Sequence, residues 1–171
     1  MAAVLSPSAA WGADYDSTSY KNHRLGIDLT VPEGWTITRQ TGYRSMLLLA
    51  TPLQRGKSKP QQGAPKLAEA TIALSYGWLG RRTLAWFITE SKRGLAGVGL
   101  GVTSERPAKV LNVRGVWIEA RTKDGKQAVL QLYHKHGQRV LVWTLRCPPA
   151  RLKTLGREIE RFIDALKLKP T

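Results

Sequence analysis

Cysteine occurs once, at Cys147, so no disulfide can form within the chain and its core must hold it folded. Carboxylates are scarce: 12 Asp and Glu stand against 27 Lys and Arg in 171 residues, a formal charge of +15. Histidine appears three times, at His23, His134 and His136, which leaves few bases to activate a nucleophile. No apolar stretch approaches the ~20 residues that a membrane-spanning helix requires, and no fixed-period repeat is present. Zinc-ligand spacings, helix-turn-helix patterns and RNP-like sequences are all missing. What remains has globular proportions, with 42% hydrophobic and 23% charged residues. A chain of 171 residues fits one domain by the usual prior of roughly 100–200 residues per domain.

The first thirteen residues, MAAVLSPSAAWGA, are Ala-rich and uncharged, and the polar run from Asp14 follows abruptly. This pattern matches the end of a secretory signal with a small-residue cleavage point, although it lacks a basic n-region and an h-region of full length. The expected organisation is a flexible terminus over residues 1–19, carrying a signal-peptide remnant, and one domain over 20–168. A periplasmic or secreted location follows, with the cytoplasm as the alternative.

Period-2 alternation at Leu25, Ile27, Leu29 and Val31 marks a half-buried strand, broken at Pro32-Glu33-Gly34 and resumed at Trp35–Thr38. The two segments are expected to pair, with Trp35 at the edge of the core. Residues Ser45–Ala50 form a continuous apolar run, expected to be a strand buried on both faces, and strand character returns over Ala70–Tyr76. Leu84, Phe87, Ile88 and Ser91 share the face of an amphipathic helix that Gly94 should stop. Strand-length runs at 107–111, 113–121, 127–134 and 139–146 then read as an antiparallel meander, with Asp124-Gly125 the sharpest hairpin signal. Leu152, Leu155, Ile159, Phe162, Ile163 and Leu166 trace a closing helix. The fold class is therefore α+β: an antiparallel sheet of about six to seven strands flanked by a mid-chain helix and a C-terminal helix.

The segment Tyr20-Lys21-Asn22, followed by Leu25–Val31 and Pro32-Glu33-Gly34-Trp35, resembles the opening of PsbP-like and bacterial DcrB-type proteins. The order of elements over residues 20–168 agrees with that resemblance. It implies an α/β/α sandwich and non-enzymatic roles, such as assembly factor, envelope accessory protein or secretion chaperone. The basic balance is not part of that family's pattern, so no residue role carries over.

Catalytic constellations are weak. His134 and His136 fall on one face of a strand, yet no acid or cysteine adjoins them, and a polar hairpin end is the expected reading. Asp28, Glu33, Glu69, Glu90, Glu105 and Glu119 show no spacing that selects a general acid–base pair. Gly94–Gly101 lacks the strand before it and the helix after it that a phosphate loop needs, and reads as a flexible connection. Nothing in the sequence calls for a metal or a cofactor. The basic residues of the last helix are offset by Glu158, Glu160 and Asp164, whereas Arg55, Lys57, Lys59 and Lys66 in the loop 53–66 are not. Neither are Arg81 and Arg82. These six are the candidate binding residues, a positive patch for an anionic protein or envelope surface, with membership of a protein complex as one expected setting. Trp78 and Trp86 flank the arginine pair, and Trp86 is expected in the core. The alternative is a cytoplasmic nucleic-acid-binding protein; a small hydrolase or metal enzyme ranks third.

Overall fold

The computed structural model of the protein describes residues 13–15, 17–38, 46–53 and 70–169. In chain order the elements are β1 (Ala13–Tyr15), β2 (Ser19–Asn22), β3 (Ile27–Thr30), β4 (Trp35–Thr38), β5 (Met46–Pro52) and β6 (Thr71–Trp78). Helix α1 (Leu84–Gly97) follows, then the meander β7 (Leu100–Val110), β8 (Val113–Thr122), β9 (Ala128–His136) and β10 (Arg139–Cys147). Helix α2 (Leu152–Asp164) and β11 (Leu166–Leu168) close the chain.

Seven strands make one antiparallel sheet in the order β4-β5-β6-β10-β9-β8-β7, as the α+β reading requires. A second sheet of four strands, β1-β2-β3-β11, was not expected. It corrects the pairing of Leu25–Val31 with Trp35–Thr38: β3 pairs with β2 and β11, while β4 pairs with β5. Pro32 and Gly34 (φ 89°) carry the chain from one sheet to the other instead of folding it back as a hairpin.

The two faces of the large sheet bury separate clusters. On one face α2 and the small sheet cover Leu74, Leu132, Leu141, Trp143 and Leu145. The helix contributes Leu152, Leu155, Ile159, Phe162 and Ile163, as its stripe demands, while Leu166 belongs to β11 opposite Leu29. Phe162 meets Trp35 edge-on at 5.6 Å between ring centroids and Trp143 at 5.9 Å. Trp35 donates through Nε1 to Glu158 (2.8 Å), whose carboxylate also accepts from Arg161, so the β3–β4 turn is latched to α2. Cys147 is buried, and its thiol is pushed up by desolvation.

On the opposite face α1 packs Leu84, Phe87, Ile88 and Leu95 over Ile118, Ala120, Val129, Tyr133, Val140 and Val142. Gly94 does not end this helix, which runs on to Gly97. Burying Leu95, the next residue, outweighs the ~1 kcal/mol that a mid-helix glycine costs. The connection to β7 is accordingly only Val98-Gly99, and Gly94–Gly101 is not a flexible link. Gly77 has a packing role: a Cβ there would lie 2.1 Å from the Phe87 ring, which rests on the β6 backbone. The apolar run in β5 is buried at Leu48 and Ala50 but half-buried at Leu47 and Leu49, not covered on both faces.

Candidate docking surface

Helix α1 begins at a tight turn. Gly80 adopts φ 57°, Arg82 N donates to Leu79 O (2.9 Å), and Thr83 Oγ1 caps the helix by accepting from Trp86 N (3.2 Å). A bond from Leu79 N to Gln138 O (2.9 Å) ties this turn to the β9–β10 hairpin. Antiparallel register then sets Arg139 of β10 directly opposite Trp78 of β6.

The result is a corner of exposed tryptophans and arginines. Trp78 is 58% exposed and Trp86 38% exposed, so Trp86 is not a core residue. The helix stripe explains this: positions 84, 87 and 88 take the inward face, and 86 falls off it. The Arg82 guanidinium lies 3.9 Å from the centroid of the Trp86 ring, and that of Arg139 lies 5.3 Å from Trp78. Arg81 is exposed beside them, and among the described residues no carboxylate pairs with Arg81, Arg82 or Arg139. Several cations elsewhere do have carboxylate partners: Lys92 pairs with Glu105, Arg93 with Glu90, Arg121 with Glu119 and Arg161 with Glu158.

Of the six residues singled out by charge, Arg81 and Arg82 thus stand at this corner. Arg55, Lys57, Lys59 and Lys66 lie outside the described residues. The ends of their loop, Leu53 and Ala70, adjoin the opposite end of β6, about 23 Å from Trp78 at the usual strand rise. Arg139 was missed because its partnership with Trp78 depends on strand register, which local sequence does not display.

The histidine pair takes a different form from the polar hairpin end expected. His134 is 1% exposed, and its Nε2 has no hydrogen-bond partner. Burial, and after it the charge of His136, holds its pKa down at about 4, so the ring is neutral at pH 7. His136 Nε2 lies 2.9 Å from Leu25 O and joins the large sheet to the segment before β3. Among the described residues no group of three His, Cys, Asp or Glu side chains is placed to hold a metal ion. Beneath α1, Tyr133 donates to Gln131 (2.5 Å), which donates to Thr144 (3.2 Å), and desolvation pushes the phenol up to about 12. That phenol therefore stays protonated and serves structure.

Chains of known structure with the same arrangement settle the architecture. Cyanobacterial PsbP (CyanoP) from Synechocystis sp. PCC 6803 superposes with a TM-score of 0.60 at 10% identity, over 96% of this chain and 100% of that one. The fold is PsbP-like. LpqN, described as involved in cell envelope biogenesis of Mycobacterium tuberculosis, matches with a TM-score of 0.63 at 17% identity, covering 84% of this chain and 83% of its own. The Saccharomyces cerevisiae Ran-binding protein Mog1p matches with a TM-score of 0.55 at 12% identity, over 84% and 90%. No family model and no curated sequence matches the chain. The likeness to these PsbP-like structures is thus one of fold, and the basic, aromatic corner has to be read from its own chemistry. No helix among the described residues is long and apolar enough to cross a membrane.

Proposed function

We propose that the protein is a non-enzymatic accessory module of the cell envelope that docks the anionic surface of a partner protein through Trp78, Arg81, Arg82, Trp86 and Arg139. The observation that carries this reading is the pairing of two exposed tryptophans with guanidinium groups that no described carboxylate neutralises. Water reaches part of both rings in the free protein, so a partner that covers them gains apolar burial, and its acids replace water at the arginines. Stacking on the indole pre-orders each guanidinium and lowers the entropy lost when a carboxylate is bound. A permanent positive field also raises the rate of encounter with acidic partners. Arg55, Lys57, Lys59 and Lys66 add to that field and strengthen docking at low salt. LpqN, involved in cell envelope biogenesis, and Mog1p, a Ran-binding protein, are in keeping with an accessory or binding role on this fold.

Exposure of Trp86 favours a second reading, since single-stranded nucleic acid also uses aromatic platforms beside a basic track. Titration with polyglutamate and with a twenty-residue oligothymidylate at matched salt separates the two. Binding of polyglutamate that is lost in Trp78→Ala/Arg82→Ser/Arg139→Ser supports protein docking. Tighter binding of the oligothymidylate, with both tryptophans quenched, moves the assignment to nucleic acid; no binding of either, in protein of unchanged melting temperature, overturns both.

A further inference from the structure

On the α2 face a cleft of about 370 Å³ runs between α2 and the outer strands β7 and β8. Its volume lies in the range of small-ligand sites, roughly 300–1,000 Å³. The floor is apolar, made of Trp117, Leu130 and Leu152, the first two from strands and the third from the helix. Gly156 sets the depth: a Cβ at that position would stand 3.4 Å from Leu130 Cδ2, so the helix approaches the sheet closely here.

Four cations line the walls: Arg121 of β8 is paired with Glu119, whereas no described carboxylate pairs with Arg106 from β7 or with Lys153 and Arg157 from α2. The Arg106 guanidinium is held over the Trp117 ring at 5.3 Å from its centroid. Of the two acids in the lining, Glu119 is already engaged by Arg121 (2.8 Å), and Glu160 is exposed. An apolar floor beneath unneutralised cations suits a ligand with one anionic head and a hydrocarbon body.

We propose that this cleft binds a small amphipathic anion, an alkyl chain bearing a single carboxylate or phosphate head. The chain lies on Trp117, Leu130 and Leu152, and the head sits among Arg106, Lys153 and Arg157. This site is independent of the docking corner: Leu145, which pairs with Leu130, lies six residues along β10 from Arg139, about 20 Å at the usual strand rise.

The test titrates the full chain with decanoate, decyl phosphate and decanol, each below its micelle concentration, by calorimetry and by the indole N–H resonance of Trp117. Either anion should shift that resonance and bind at least tenfold more tightly than decanol, and the tighter of the two identifies the head. Arg106→Gln/Arg157→Gln should weaken anion binding tenfold or more at an unchanged melting temperature, while Trp78→Ala/Arg82→Ser leaves it as in the wild type. An unmoved Trp117 resonance with both anions, equal binding of decanol, or full affinity in the Arg106→Gln/Arg157→Gln protein overturns the proposal.

Discussion

Five described tryptophans divide into two groups with opposite surroundings. Trp35, Trp117 and Trp143 lie on the α2 face within one continuous cluster, packed by Phe162, Leu132 and the small sheet. Trp78 and Trp86 stand in solvent around the β6–α1 turn, each with a guanidinium over its ring. The same side chain stabilises the fold in the first setting and presents exposed apolar area in the second. The helices differ in step: α2 commits five buried residues to its face, whereas α1 buries Ile88 and Leu95 and leaves its first turn largely outside.

Substitution tests that contrast at its strong end first. Trp143 is fully buried, so Trp143→Ala should lower unfolding free energy in urea by ~3–5 kcal/mol, the range for aromatic-to-alanine changes in cores. The next effect comes from His134 on the same side. Its folded pKa of about 4 lies below the ordinary value of 6.5, so the unfolded chain takes up a proton first as pH falls. Stability is therefore full above pH 6.5 and is lost on the way down to about pH 4, by about 3 kcal/mol in all at ~1.4 kcal/mol per unit. Urea titrations between pH 6.5 and 5, where few carboxylates protonate, should show this slope in the wild type and its disappearance in His134→Leu.

The α1 side should respond more weakly. Gly77→Ala places a methyl group against the Phe87 ring and should cost ~1–3 kcal/mol, with Phe87→Leu in the same chain recovering part of the loss. Trp86→Ala sits at the far end of the scale: a stability change within about 0.5 kcal/mol, as for other surface positions, together with weaker binding of polyglutamate. A loss as large as that of Trp143→Ala would erase the distinction between the two groups.

Much of the architecture could be read from the sequence because it is written in local periodicity. Strands β8, β9 and β10 of the meander, the Asp124-Gly125 hairpin with Gly125 at φ 68°, and the α2 stripe all follow from alternation or 3.6-residue spacing, whereas β7 begins at Leu100, seven residues before the expected run. The small sheet could not be, because β2, β3 and β11 are three or four residues each and β11 pairs with β3 across most of the chain length. Gly94 misled in the same manner, since what keeps α1 going is the distant contact made by Leu95. The charge pattern located Arg81 and Arg82, but Arg139 enters through register, and the exposure of Trp86 followed from the stripe once its inward face was known.

The most direct measurement is the salt dependence of polyglutamate binding by the wild type and by Arg81→Ser/Arg82→Ser/Arg139→Ser. The corner as a docking surface predicts affinity reduced tenfold or more at low salt, a shallower dependence on salt, and an unchanged melting temperature in the variant. Equal affinity and an equal salt slope in the two proteins would contradict it and return these arginines to the status of an ordinary solvated face.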